Sequence, residues 1–206
     1  MSKKNEEEEI KVILIGDTEV GKTSLINVSI GLDFNPNQQV TISGSCTSKT
    51  IMINDKTYNI NLWDTAGLEE YRGISQLFYR GAEIVILVYD ICSLSSFNSL
   101  ENWYEICEDT IDNEHIYGIV GNKNDLYLES KTNENEAKKF AESKNAKFKL
   151  VSAKDEPKGF VDFLDELIIN YKKISQVSRR KTIKLDKNKN LNKNKNKENC
   201  FKCQNN

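Results

Sequence analysis

The segment GDTEVGKT, at residues 16–23, combines glycines, a lysine and a threonine at a spacing suited to binding phosphate. Gly16 and Gly21 allow the backbone to curl so that several N–H groups face one anion. The Lys22 ammonium can reach the β- and γ-phosphates of a nucleotide, and the Thr23 hydroxyl can bind Mg²⁺. Glu19 is unusual in a loop built for anions: pointing inward it would repel phosphate, so we expect it to point into solvent.

Two further motifs have the chemistry to recognise a purine base. In GNKND, at residues 121–125, the Asp125 carboxylate can accept from the ring N–H and the exocyclic amine of guanine, and Asn122 can act beside it. Adenine lacks that donor pair, which disfavours an ATPase. In SAK, at residues 152–154, the Ala153 amide can donate to the guanine carbonyl, while Lys154 and Lys123 can cover the ring.

Apolar runs alternate with helical patterns and position these motifs. Residues 10–16 predict a buried strand before the phosphate loop, and a helix follows from Lys22 to about Ile30. Residues 46–53 and 56–64 alternate around a turn and predict a hairpin. Later segments predict strands at 83–90, 116–122 and 147–153, and helices at 95–109, 133–144 and 159–173. This order indicates an α/β domain with a mostly parallel sheet whose antiparallel pair is the hairpin.

Composition favours a soluble globular domain with solvated ends. The chain has 206 residues, of which 38% are hydrophobic and 29% charged. No apolar run reaches the roughly 18–20 residues that span a bilayer, and residues 1–9 lack the apolar core of a secretory signal. Five scattered cysteines do not suggest a disulfide framework, so we expect a reducing compartment.

Charge divides the chain into an acidic body and a basic tail. Residues 172–206 contain twelve Lys or Arg against Asp186 and Glu198, a net charge of +10, which leaves −12 for residues 1–171. The Lys/Asn-rich low complexity of residues 175–206 predicts disorder. We therefore expect a charged arm at 1–9, a folded domain at 10–174 and a disordered basic tail at 175–206.

The ordered set GDTEVGKT, Thr41, WDTAG, NKND and SAK resembles the Ras superfamily of small GTPases. Within it, YNINLWDTAG, EYRGIS, FYRGAE and LVYDIC resemble the Rab branch. The resemblance covers about residues 10–174. It implies a P-loop G domain, in which a six-stranded, mostly parallel sheet with one antiparallel strand is flanked by five helices. It also implies a GTPase that acts as a nucleotide-dependent switch in vesicle and membrane traffic.

The family pattern also assigns roles to single residues. Thr41 matches the threonine that reaches Mg²⁺ when the γ-phosphate is present, and Asp64 matches the carboxylate that holds Mg²⁺ through water. Phe34 matches the aromatic that packs on guanine, and the Gly67 amide matches the donor to the γ-phosphate. We assign catalysis to Lys22, Thr41 and Gly67. The expected contacts to GTP or GDP are Asp17, Thr18, Glu19, Val20, Gly21, Lys22, Thr23, Ser24, Phe34, Thr41, Gly67, Asn122, Lys123, Asp125, Ser152, Ala153 and Lys154.

Two departures from the family pattern affect the expected activity. Leu68 stands where the family has the glutamine that orients the attacking water, so we expect slow GTP hydrolysis and a GTP-loaded resting state. Alternatives are that a partner supplies the missing group, or that the protein is a GTP-bound scaffold with negligible turnover. Residues 42–46, Ile-Ser-Gly-Ser-Cys, also differ from the usual Rab sequence at the effector surface.

Cys200 and Cys203 resemble the terminal cysteine pair that carries prenyl groups in the Rab branch, although Gln204 and Asn205 do not fit a C-a-a-X box. A zinc or redox pair is the alternative, but zinc would need two more ligands. With the basic tail, lipidation implies a cytoplasmic protein held at the cytosolic face of an endomembrane or the plasma membrane. We expect a monomer whose partners are effectors, an exchange factor and a GTPase-activating protein, and no nucleic acid.

Overall fold

The structure is a computed structural model that describes residues 8–41, 44–53, 56–65 and 78–177. Six strands form one sheet in the order β2-β3-β1-β4-β5-β6. The strands are β1 (Glu8–Ile15), β2 (Ser45–Ile53), β3 (Lys56–Asp64), β4 (Ile84–Asp90), β5 (Ile116–Asn122) and β6 (Lys147–Leu150). Only β2 pairs antiparallel, with β3; the other pairings are parallel, which confirms the predicted sheet and hairpin.

Five helices flank the sheet in the described part of the chain. They are α1 (Lys22–Ser29), α2 (Leu94–Asn98), α3 (Leu100–Thr110), α4 (Glu134–Ser143) and α5, which begins at residue 157. A short 3₁₀ helix, Asn124–Glu129, follows β5. The fold is thus the predicted P-loop G domain, an α/β architecture with helices between parallel strands.

The predicted helix at 95–109 is instead two helices, α2 and α3, interrupted at Ser99. Ser93 caps the N-terminus of α2: its hydroxyl accepts from the Ser96 backbone N–H. The Ser99 hydroxyl donates to the Ser95 carbonyl at 3.0 Å, four residues earlier. Such local serine bonds compete with the regular helical ladder, and the apolar periodicity of the segment does not reveal them.

Side chains of the central strands alternate between two apolar layers. On one face, Val85 and Leu87 of β4 pack in a core with Leu100 and Cys107 of α3. On the other face, Gly118 of β5 leaves room for α5: a Cβ there would lie 2.6 Å from Leu167 Cδ1. Because both faces are covered, β4 is a continuous apolar run rather than an alternating one.

The chain divides into two compact units, Met1–Ile169 and Asn170–Asn206. The first contains the sheet, and its buried α5 residues include Phe160, Phe163, Leu164 and Leu167. The described residues of the second unit, 170–177, are helical. Within the described ranges, no helix has both the length and the apolar character needed to cross a membrane.

Candidate functional site

The site lies where the parallel strands end. β1, β4 and β5 run in the same direction, so the loops that follow Ile15, Asp90 and Asn122 meet at one edge of the sheet. Ligands in such sheets bind outside the carboxyl ends of the strands. A cavity of about 440 Å³ opens at this edge between the phosphate loop, residues 34–41, the segment after β5 and the SAK turn.

Gly16 and Gly21 give the phosphate loop its shape. Gly16 has φ 152°, and a Cβ there would lie 2.1 Å from the Val88 carbonyl oxygen of β4. Gly21 has φ 96°, and a Cβ there would lie 2.3 Å from Asn122 Nδ2. Any side chain at either position would therefore collide with the neighbouring strand ends, so both glycines are required by packing as well as by dihedral angle.

Lys22 is the buried cation of the loop. Lys22 is the first residue of α1 and is only 5% exposed. Its Nζ donates to the carbonyl oxygens of Gly16 at 2.9 Å and of Asp17 at 2.7 Å. Burial lowers its pKa to about 8, against the opposing effect of the Asp64 and Asp17 carboxylates. A phosphate beside Nζ would favour the ammonium form, because it would supply the missing counter-charge.

Three oxygen-bearing side chains converge beside Lys22. Thr23 Oγ1 lies 2.7 Å from Asp64 Oδ2 and 2.8 Å from Thr41 Oγ1. Thr41 Oγ1 also donates to Asp64 Oδ2, at 3.3 Å. The structure thus brings together all three residues that the sequence assigned to Mg²⁺, although Thr41 and Asp64 lie on different segments.

Asp64 provides the test of whether this cluster fits a magnesium ion. The residue is 4% exposed, and among the described residues its buried Oδ1 has no hydrogen-bond partner. Burial raises its pKa, opposed by hydrogen bonds from Thr23 and Thr41 and by the charge of Lys22. A carboxylate oxygen without a partner, beside two hydroxyls, suits a hard cation. The described residues hold no cluster of three or more His, Cys, Asp or Glu, but Mg²⁺ needs few protein ligands because it keeps waters and binds phosphates.

At the other end of the cavity, Asp125 is held in place by its neighbours. Its side chain is 8% exposed, and Oδ1 accepts from the Ser152 hydroxyl at 2.6 Å. That hydroxyl in turn accepts from the Asp155 backbone N–H at 3.0 Å. The second oxygen, Oδ2, lies 3.9 Å from Lys154 Nζ. The carboxylate is therefore pre-oriented, with one oxygen fixed by protein.

Asn122 connects the two ends of the site. Its Nδ2 donates to the Val20 carbonyl in the phosphate loop at 2.9 Å, and its Oδ1 accepts from the Ala153 N–H at 3.3 Å. Both polar groups of the amide thus bond protein atoms, so its role in this structure is to join the loops. Lys123, in the left-handed region at φ 66°, forms an ion pair with Asp90 at 2.8 Å.

Most of the predicted nucleotide contacts line the cavity. They are Thr18, Glu19, Gly21, Lys22, Thr23, Ser24, Phe34, Thr41, Asn122, Lys123, Asp125, Ala153 and Lys154. Asp17, Val20 and Ser152 instead bond residues of the lining. Glu19 is solvent-exposed at the cavity edge with φ 62°. Gly67, Leu68, Cys200 and Cys203 lie outside the described residues.

The structure adds contributors that the motifs do not identify. Further lining comes from one loop, at Asn35, Pro36, Gln38, Gln39 and Val40, and from Thr65 and Leu126. Trp103, from α3, donates its indole N–H to Asp17 Oδ1 at 2.7 Å. In the sequence, the polarity of residues 31–45 is the only sign that this loop contributes to the site, and no local signal indicates that Trp103 does.

Comparison with known proteins agrees with this geometry. A family model described as the Ras family matches residues 11–173. Ras-related protein Rab-2B of Dictyostelium discoideum is 39% identical over 144 residues, covering 70% of this chain and 71% of the relative. Ras-related protein Rab-7a of Paramecium octaurelia is 38% identical over 150 residues, covering 70% and 73%. Ras-related protein Rab-22A of Homo sapiens is 37% identical over 147 residues, covering 71% and 76%.

Proposed function

Because the chain belongs to the Ras family, and to its Rab branch, we propose that it is a guanine-nucleotide-dependent switch in membrane traffic that hydrolyses GTP slowly. One observation carries the proposal: a base-reading carboxylate and a phosphate-binding lysine line the same cavity. Asp125 lies at one end and Lys22 at the other, and Asn122 bonds both neighbouring loops.

Base selection depends on the fixed orientation of Asp125. The Ser152 hydroxyl donates to Oδ1 and fixes the carboxylate, whose remaining lone pairs can accept from the two N–H groups on the guanine edge. With adenine, the same carboxylate would be left without its donors, and a desolvated charge without a partner is costly. Ala153 lies at the same edge, where its backbone N–H donates to Asn122 Oδ1, and Phe34 and Lys154 are available to cover the ring faces.

Phosphate transfer depends on positioning and electrostatics rather than on covalent chemistry by the protein. Lys22 places a buried positive charge where the β- and γ-phosphates would lie. Thr23, Thr41 and Asp64 would hold Mg²⁺, which when bound neutralises phosphate charge. Because Thr41 reaches this cluster from a loop, its contact can depend on the nucleotide state, which is the property a switch requires.

The proposed slow rate of GTP hydrolysis follows from Leu68. Leu68 carries no donor or acceptor, so it cannot orient the attacking water, while Lys22 and the Gly67 amide would support residual turnover. The competing function is a scaffold that stays GTP-bound. Effectors, an exchange factor and an activating protein are the partners that a switch requires, and prenylation at Cys200 and Cys203 would place it on a membrane.

The direct test is nucleotide selectivity of the Asp125→Asn variant. An asparagine can keep its oxygen toward Ser152 and turn Nδ2 toward the base, where it opposes guanine donors but matches the carbonyl of xanthine. We expect GDP affinity to fall by at least about 10²-fold and xanthosine diphosphate to become the better ligand, as measured by competition against a fluorescent nucleotide.

The matched control is Asp155→Asn, because the Asp155 side chain is 62% exposed and its carboxylate forms only a weak, solvent-exposed ion pair with Lys154 Nζ at 4.0 Å, while its backbone N–H, which bonds Ser152, is unchanged by the substitution. It should bind GDP as the wild type does. Wild-type protein that binds ATP as well as GTP, or binds neither, would contradict the proposed function.

A further inference from the structure

Trp103, on helix α3, contacts the phosphate loop through a hydrogen bond to Asp17. It lies in the first turn of α3, is 2% exposed, and its indole N–H donates to Asp17 Oδ1 at 2.7 Å. The two residues are 86 positions apart in sequence. A part-buried bond from a neutral N–H to a carboxylate is charge-assisted, and it fixes the carboxylate in one direction.

Asp17 makes a second bond through its backbone. Its carbonyl oxygen accepts from Lys22 Nζ at 2.7 Å, one of the two carbonyl bonds that hold the buried ammonium. The same residue is thus bonded to α3 through its side chain and to Lys22 through its main chain. A change in the backbone dihedrals of Asp17 would therefore disturb both bonds, and the bond to Trp103 opposes such a change.

The direction of the Asp17 carboxylate also matters for the charge of the site. Thr18 and Glu19, the next residues, line the cavity, whereas Asp17 does not and instead faces Trp103. A carboxylate released into a phosphate-binding loop would repel the anion. Trp103 therefore holds this carboxylate away from the cavity; because Asp17→Ala removes the charge altogether, only loss of the bond, and not this repulsion, can accelerate nucleotide release in that variant.

We propose that Trp103 is a positioning residue for nucleotide retention, acting through Asp17 on the phosphate loop and Lys22. The proposal rests on the proposed function, since it assumes that the cavity binds guanine nucleotide. It connects α3, whose outer face is exposed at Glu101 and Glu105, to the phosphate loop through Asp17 and Lys22.

The test is release of a fluorescent GDP analogue from the full-length protein with Mg²⁺ present. Trp103→Phe keeps an aromatic ring in the core but removes the donor, and Asp17→Ala removes the acceptor. We expect each to accelerate release by about tenfold, as the loss of a hydrogen bond to a charged group predicts. The double variant should release no faster than the faster single variant, because both changes remove one bond.

Two further variants separate this bond from general damage to the fold. Asp17→Asn keeps an acceptor oxygen for the indole, so it should release nucleotide much more slowly than Asp17→Ala. This pair remains informative if Trp103→Phe fails to fold, since Asp17 is only half-buried. Trp63 is the other tryptophan of the chain and lies on β3. The same substitution there, Trp63→Phe, should leave the rate of nucleotide release at the wild-type value.

Each remaining outcome overturns a definite statement. Wild-type release from Trp103→Phe, or Asp17→Asn as fast as Asp17→Ala, would overturn the role of Trp103 alone. If the increases in release rate of the two single variants multiply in the double variant, the two substitutions act independently, which would also overturn the role of Trp103. Wild-type protein that binds no guanine nucleotide would overturn the proposed function and, with it, this inference.

Discussion

At the scale of single residues, the polar side chains of the site are held in place by hydrogen bonds to other protein atoms. Asp125 is fixed by Ser152, Asn122 bonds Val20 and Ala153, and Lys22 is bonded by two loop carbonyls. Groups fixed in this way need little reorganisation when charge develops on a substrate. The cost is a buried cation whose pKa is lowered to about 8, which a bound phosphate would relieve.

The residue-scale prediction concerns Leu68. Leu68→Gln introduces a group that can orient water, so single-turnover hydrolysis of preloaded GTP should accelerate severalfold, up to about 10²-fold. Leu128→Gln is the matched control, because Leu128 is 85% exposed on the 3₁₀ helix. An unchanged rate in Leu68→Gln would mean that Leu68 does not limit hydrolysis. An undetectable rate in both the wild type and Leu68→Gln would favour the GTP-bound scaffold.

At the scale of elements, α5 stabilises the sheet from the face opposite α3. Leu164 is fully buried, and Gly118 of β5 allows Phe163 and Leu167 to approach the strand closely. Leu164→Ala should lower the free energy of unfolding by about 2–5 kcal/mol, because it removes buried methyl groups and leaves a cavity. Urea denaturation at saturating GDP measures the change.

Leu128→Ala is the control for that substitution, since the same atoms are removed from an exposed side chain. Its unfolding free energy should stay within about 0.5 kcal/mol of the wild type. Equal losses in the two variants would contradict the packing described for α5.

The sequence predicts elements and local motifs better than it predicts long-range contacts. The phosphate loop, NKND and SAK are continuous strings whose spacing indicates their chemistry, and apolar runs together with the alternation of the hairpin segments predict the six strands. The bond between Asp17 and Trp103 joins positions 86 residues apart, and neither residue type is a signal by itself. The interruption at Ser99 depends on side-chain bonds that apolar periodicity does not contain.

At the scale of the whole molecule, charge is distributed unevenly along the chain. Residues 172–206 carry a net charge of +10, and residues 1–171 carry −12. A basic segment is attracted to anionic lipid, whereas an acidic domain is repelled by it. This charge distribution supports the proposed membrane contact through the tail rather than through the domain.

The whole-molecule prediction is that lipidation of the tail determines membrane association. Replacing both Cys200 and Cys203 by alanine should move the protein from the membrane fraction to the cytosol, because the basic residues alone give weak binding. Fractionation of cells that express each variant measures this. Cys46→Ala, at an exposed cysteine of β2, should remain on membranes. Membrane association that persists without the tail cysteines would contradict the lipid anchor.

The sheet order has a consequence for synthesis of the chain. β1 lies between β3 and β4, so the first strand to leave the ribosome pairs only with strands made later. Ile84 follows Ile15 by 69 residues, which at roughly 5–20 residues per second takes about 3–14 seconds. Throughout that interval the apolar run at residues 10–15 lacks its neighbour β4, and for most of it also β3, and non-local parallel pairing is slow. The nascent chain therefore passes through a period of aggregation risk, during which a chaperone that shields short apolar segments would raise the yield of folded protein.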